Sequence, residues 1–348
     1  MRSVYLDNIR WGTVLLVFLY HICYLFNGVG VPGGIPGAES VPALDVFAAA
    51  VYPWFMVLLF AVAGMSARYA LERRTPGDFL RERRDKLLVP STLGLFVLHW
   101  TTGYLNIRLG GGLAFIPAAL VYPIAAVSGT GPLWFAQMLF LFSCLLLPIR
   151  RLDRDKALEK LPVWAVFLLF LPLWGSSQVL NVPVLTMYRF GIYLAAFLMG
   201  YFILSHKKIQ RELERFRLPL LGIAIASGAV CTVRWLGKNY TDPACLQSLP
   251  ANLCAWSAVL AVLGLGRRHL NRESAFTRYM RRTSFGIYVL HYPVLLAICS
   301  GLHAWRRFPA VWNYALALVI GLPATLGLYE AIRRIPVVRY LVLGQRGR

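Results

Sequence analysis

Long apolar runs recur from one end of the chain to the other, separated by short polar stretches. Ten are long enough to read as membrane spans, at about 9–27, 47–70, 87–107, 131–149, 161–178, 187–205, 217–236, 250–266, 283–303 and 311–332. About 20 apolar residues in a helix cross the roughly 30 Å hydrocarbon layer, and lipid admits only backbones that satisfy their own hydrogen bonds. The pattern therefore predicts an all-α polytopic membrane protein of about ten transmembrane helices, with residues 1–348 as one integral membrane domain. The piece 113–128 is also apolar, but it carries prolines and follows three glycines at 110–112. It reads as an eleventh span or as a re-entrant or interfacial segment, and charge parity, below, favours the latter. The N-terminal run is too long and too interrupted by polar residues for a cleaved signal, so it is expected to stay as the first helix.

Charge sets the orientation. The 348 residues include 36 Lys and Arg against 15 Asp and Glu, for a net charge of +21. Such a balance suits nucleic acid only if the cations form one patch, and here they sit in short loops between spans. With both termini placed inside, residues 1–8, the loops 71–86, 150–160, 206–217 and 267–282, and the tail 333–348 hold 28 of the 36. The outer segments hold six: Arg108, Arg189, Arg234, Lys238, Arg306 and Arg307. This is the positive-inside distribution, so both termini are expected in the cytoplasm, in a multi-pass protein contacting membrane lipids and binding no nucleic acid. A full crossing by 113–128 would invert every later loop and destroy the asymmetry. The six cysteines form no CxxC pair and no metal-ligand spacing, so no metal is expected; Cys245 and Cys254 flank an outer loop and are close enough in sequence to bridge on an oxidising face.

Ionisable residues inside spans are the candidates for chemistry. The first span carries Asp7, Arg10 and His21. At 100° per residue the eleven positions from Arg10 to His21 are three turns plus about 20°, so the two share a face roughly 16 Å apart, with Asp7 one turn before Arg10. His21 reads as a general base or proton carrier, the alternative being a neutral histidine hydrogen-bonded between helices. Arg81, Arg83, Arg84 and Lys86 crowd the entrance to the third span. They suit a phosphate-bearing cytosolic ligand such as a nucleotide or coenzyme A, or else are topogenic charge near anionic lipid. His291, with Tyr288 one turn before it, either lines the same cavity as His21 or bonds across helices. Trp134 and Gln137 face together, as acceptor-side lining or, for Trp134, as an interfacial anchor. His99 suggests packing, and Glu330 a pair with Arg333 or Arg334.

Six stretches in order carry a family resemblance. DNIR and the apolar run ending at His21 give Arg, ten residues, His, which resembles the first-helix signature of the acyltransferase-three family of integral membrane acyltransferases. FAVAGMSARYAL is similar to its second-helix F-x-x-S-G region, and RERRDKLLVP to its R-x-x-R loop and following Pro. GPLWFAQMLFLFS, SFGIYVLHYPVL and LYEAIRRIP resemble its L-W-F helix, its Tyr-x-x-His helix and its last-helix Glu and Pro. The likeness covers essentially the whole chain and comes closest to the glucan-succinylating-like branch. Three points depart from it: Ala63 stands where Ser is common, Gln137 where other branches have Glu, and no hydrolase-like domain is appended.

The resemblance implies an O-acyltransferase of the bacterial cytoplasmic (inner) membrane, taking an acetyl or succinyl group from cytosolic acyl-CoA to a hydroxyl of an extracytoplasmic glycan or glycolipid. Arg81, Arg84 and Arg83 would hold the acetyl-CoA or succinyl-CoA phosphates. His21 would deprotonate the acceptor hydroxyl, Arg10 would orient the donor or stabilise negative charge, and Asp7 would hold Arg10. Trp134, Gln137, Tyr288 and His291 would line the substrate side. The carbohydrate acceptor is the expected partner, and homo-oligomerisation is left open. The alternative function is a secondary transporter using His21, Arg10 and His291 as a relay.

Overall fold

The fold is described from a computed structural model, for residues 4–152, 158–182 and 187–346. Of the cations counted for orientation, Arg2, Arg154, Lys156 and Arg348 lie outside the described residues. The chain is helical: among the described residues the one β-type pairing is an isolated bridge between Asn181 and Arg189.

Helices occupy all ten predicted span positions, but they are not equivalent. Among the described residues, seven are long and apolar enough to cross a membrane. They are α1 (Val4–Leu25), α2 (Pro42–Leu71), Gly131–Leu152 with α7 (Trp134–Ile149) as its core, α12 (Arg217–Arg234), α13 (Leu249–His269), α14 (Ala275–Trp305) and α15 (Ala310–Ile332). An eighth is the bent pair formed by α10 (Phe190–Met199), continued to Leu204, and α11 (Lys207–Arg215), which turn by 100°. The position 161–178 holds only the short helices α8 (Val163–Leu168) and α9 (Phe170–Ser177).

The predicted third span is a helical run in pieces: α3 (Pro76–Arg83), a π-turn at Arg84–Leu88, α4 (Val89–Gly94), a second π-turn at Leu95–His99 and α5 (Trp100–Leu109). So the count of ten by hydropathy becomes seven or eight by length and composition. The difference lies in segments whose ladders are interrupted by Pro, Gly or π-turns. The 113–128 piece contains α6 (Ala118–Ser128), whose 11 residues rise only about 16 Å and cannot span. Helix α16 (Pro336–Leu343) follows the last span.

Packing divides the chain into two compact units. The first is built from the start of α1 through Thr13, Ala49–Leu80 and Leu141–Arg281. Its α2 and α10 cross through glycines: a Cβ on Gly64 would collide with the Phe197 carbonyl, and one on Gly200 with the Ala61 carbonyl. Phe60 stacks on Tyr193 beside this crossing, with ring centres 4.7 Å apart. The start of α1 docks on the end of α13, where Asn8 Nδ2 donates to the carbonyls of Leu270 (2.7 Å) and Arg272 (3.0 Å). Arg267, in the last turn of α13, pairs with Glu214 at 2.9 Å. The Cys245 sulfur has Cys231, 3.9 Å away, as its neighbour, the possible Cys245–Cys254 bridge is not formed, and all six cysteines are free.

The second unit is built from Val14–Ala48, Arg81–Phe140 and the chain from Arg282 onward. Here α5 and α6 pack backbone to backbone, since Gly103 faces the Ala125 carbonyl and Gly129 the His99 carbonyl with no room for a Cβ. The loop after α1 is tied down: Asp45 accepts from the Gly28 amide (3.3 Å), and Tyr314 Oη donates to the Phe26 carbonyl (3.1 Å). Helix α16 packs on α4, Gly94 lying against the Leu341 carbonyl. Glu330 pairs with Arg333 at 2.6 Å, as the sequence suggested.

Candidate active site

Helix α1 runs unbroken from Val4 to Leu25 and carries Asp7, Arg10 and His21. Asp7 and Arg10 belong to the first unit and His21 to the second. Arg10 is half-buried; its Nη1 donates to Asp7 Oδ1 at 3.3 Å and its Nη2 to Ser66 Oγ of α2 at 2.7 Å. Asp7 is 7% exposed, so the carboxylate that orients Arg10 is itself shielded. Ser66 was not foreseen.

His21 and His291 come together. His291, on α14, is 1% exposed and its Nε2 lies 3.1 Å from His21 Nδ1. The protons can be assigned from the partners. His291 Nδ1 faces two carbonyls, those of Tyr288 (2.8 Å) and Ile287 (3.1 Å). Carbonyls only accept, so Nδ1 carries the proton and His291 Nε2 a lone pair. His21 Nδ1 faces that lone pair and, at 2.8 Å, the Val17 carbonyl. It too must carry its proton, which leaves His21 Nε2 with a free lone pair. This is the tautomer a base needs. Tyr20, Tyr24 and Tyr292 pack around the His21 ring at centre distances of 5.2–5.9 Å, Tyr20 and Tyr292 being nearest. The two tyrosines Tyr24 and Tyr292 had no sequence signal beyond their spacing from the histidines.

The other predicted substrate-side residues are differently placed. Tyr288 Oη donates to the Pro132 carbonyl in a close contact, so its hydroxyl holds the Gly131–Leu133 turn in place. Phe135 packs edge-on against Tyr288, and Trp134 edge-on against Phe135. Gln137 turns away to α4, where its Nε2 donates to the Ser91 carbonyl at 2.8 Å. Among these four, His291 makes a hydrogen bond to His21.

Arg81, Arg83 and Arg84 lie on the helical run entering α4, with Arg81 and Arg84 exposed and Arg83 half-buried. Asp85, buried beside them, had no sequence signal that set it apart from Asp78 and Glu82 in the same stretch. Its Oδ1 takes Arg84 Nε and Nη2, both at 3.0 Å, and Tyr340 Oη at 3.2 Å; its Oδ2 takes Arg346 Nε at 2.9 Å. Burial pushes the Asp85 carboxyl up, but hydrogen bonding from Arg84 and the charges of Arg346 and Arg84 outweigh it and hold it below the ordinary carboxylate range. Asp85 thus fixes Arg84 and fastens the C-terminal segment to the same spot.

Among the described residues no group of three His, Cys, Asp or Glu is placed to hold a metal ion. An apolar hollow of about 440 Å³ in the first unit, lined by Leu141, Phe142, Leu180 and Phe190, contains none of these residues.

Comparison with known proteins agrees with this architecture. The profile of the acyltransferase domain of the acyltransferase-three family matches residues 3–330. The chain is similar to glucans biosynthesis protein C of Escherichia coli K12, at 22% identity over 99% of this chain and 95% of the relative. The protein of that name from Shigella boydii serotype 4 matches at the same identity and coverage. No solved structure matches. With a multi-pass helical body and a profile match over nearly its whole length, this chain belongs to the acyltransferase-three family and is a membrane acyltransferase.

Proposed function

We propose that the protein moves an acetyl or succinyl group from cytosolic acyl-CoA to a hydroxyl of an extracytoplasmic glycan or glycolipid. In this reading it lies in the bacterial inner membrane with both termini in the cytosol. The observation that carries the proposal is the free lone pair on His21 Nε2. A neutral imidazole in that tautomer can take a proton from a hydroxyl, and its Nδ1–H, shared between Val17 and His291, supports the imidazolium that results. The arrangement has the logic of a catalytic triad with a second histidine as the orienting group.

The reaction conserves its protons. The acceptor O–H gives its proton to His21 Nε2, the oxygen bonds to the thioester carbon, the C–S bond breaks, and the sulfur leaves with the proton from His21. Arg81 and Arg84 suit the phosphates of the donor, being exposed guanidiniums one turn apart. Arg10 lies roughly 16 Å along α1 from His21, too far to touch the same carbon, so its role is on the donor side. The acceptor class is supported by the names of the relatives, which concern glucan biosynthesis.

The experiment is product analysis. Purified protein is incubated with isotopically labelled acetyl-CoA or succinyl-CoA and a glucan oligosaccharide, and the glycan is analysed by mass spectrometry. Labelled ester on the glycan is expected. Movement of unmodified glycan across proteoliposomes without labelling would favour the transporter alternative.

A further inference from the structure

Buried hydrogen-bonding groups in a membrane helix normally find partners within the protein. His99 and Thr102 do not. Both are fully buried, and neither ring nitrogen of His99 nor Oγ1 of Thr102 has a hydrogen-bond partner among the described residues. Their neighbours on the same helical run behave ordinarily: Ser91 Oγ donates to the Leu87 carbonyl, Thr92 Oγ1 to that of Leu88 and Thr101 Oγ1 to that of Leu98. Thr102 would back-bond four residues earlier, to Leu98, but Thr101 holds that carbonyl at 2.7 Å just after the π-turn Leu95–His99. Three residues apart, His99 and Thr102 present their unmet groups on one face.

That face borders the segment 129–132, which packs against Tyr292 of α14. A Cβ on Gly131 would lie 3.1 Å from the Tyr292 ring and 3.8 Å from the Thr102 methyl. The Tyr292 ring in turn packs 5.2 Å from that of His21. The segment 129–132 holds these parts together, with Gly129 on the His99 carbonyl and the Pro132 carbonyl accepting Tyr288.

Acyl transfer builds negative charge on the carbonyl oxygen, and enzymes meet it with donors already aimed and not engaged elsewhere. Arg10 is too distant, and the Tyr288 hydroxyl is bound to Pro132. We propose that His99 and Thr102 form the oxyanion subsite of this acyltransferase. The N–H of neutral His99 and the O–H of Thr102 donate to the carbonyl oxygen of the transferred acyl group while His21 Nε2 takes the proton of the attacking hydroxyl. The carbonyl π pair moves onto that oxygen as the O–C bond forms and returns as the C–S bond breaks; neither donor loses its proton. The subsite rests on the His21-centred reading above.

The test uses the full-length protein with acetyl-CoA or succinyl-CoA and a glucan oligosaccharide, following thiol release and thermal stability together. His99→Phe should lower kcat about 10²–10³-fold with little change in KM, as loss of an oxyanion donor does. Its Tm should hold or rise, because an unmet polar group has been removed. Thr102→Val should lower kcat about tenfold, and Thr102→Ser, which keeps the hydroxyl, should restore it. Wild-type kcat in both His99→Phe and Thr102→Val would overturn the subsite, as would a loss that merely follows a fall in Tm. His21→Ala measured in parallel separates the two ideas: full activity there defeats the base itself, whereas a loss there with active His99 and Thr102 variants defeats only the subsite.

Discussion

A neutral imidazole is a base only at the nitrogen without a proton, and at His21 the choice is made by two acceptors crowding Nδ1. The Val17 carbonyl alone would keep the proton on Nδ1, so His291 is not needed for the tautomer. Its contribution comes when His21 is charged, since a hydrogen bond to a charged group contributes about 1.5–3 kcal/mol. His291→Phe should therefore lower kcat about 10–100-fold while leaving KM nearly unchanged, read by thiol release at saturating donor; an unchanged kcat would reduce His291 to packing. This level was partly legible in the sequence. Helical spacing put Asp7, Arg10 and His21 on one face, and the structure keeps Arg10 on Asp7. The approach of His291, 270 residues away, is tertiary and left only the fact of a second intramembrane histidine. A face shared with Trp134 does not fix where the long Gln137 amide bends, and its Nε2 reaches the Ser91 carbonyl.

Two element-scale contacts decide how the helices hold. The α2–α10 crossing has no room at Gly64, whose missing side chain lets the Phe197 carbonyl approach. Gly64→Leu should cost at least about 1–3 kcal/mol, the range for overpacking, and show as a lower Tm in detergent; unchanged stability would mean the helices separate there without penalty. At the other contact Asp85 joins α16 to the entrance of α4. Its depressed pKa means the ionised form stabilises the fold, fully above the ordinary carboxylate pKa near 4 and progressively less as pH falls through the native value. Asp85→Asn should lower Tm by about 2–4 °C at pH 7 and flatten the acid side of the stability profile. An identical acid profile in the variant would contradict that assignment. Hydropathy found helices at every span position, yet it could not see the π-turns at Arg84–Leu88 and Leu95–His99, because they change hydrogen-bond register without changing composition. Charge parity did signal that 113–128 does not cross, and the 11 residues of α6 are too few to do so.

For the whole molecule, the proposed orientation with both termini inside puts 28 cations on one side against six on the other, which gives a donor side and an acceptor side. Arg81→Ala with Arg84→Ala should weaken CoA binding about tenfold or more at unchanged expression, measured by calorimetry on purified protein. Unchanged affinity would leave these arginines as topogenic charge. Family and helical class were readable because six ordered motifs run the length of the chain. The division into two units was not, since each unit is assembled from three separated segments. The central claim is that His21 Nε2 takes the acceptor proton. Its most direct test is acceptor-dependent thiol release from acetyl-CoA or succinyl-CoA by wild-type and His21→Ala proteins, each shown to be folded. The account predicts a fall of about 10²–10⁴-fold in kcat for His21→Ala; release at the wild-type rate would contradict it.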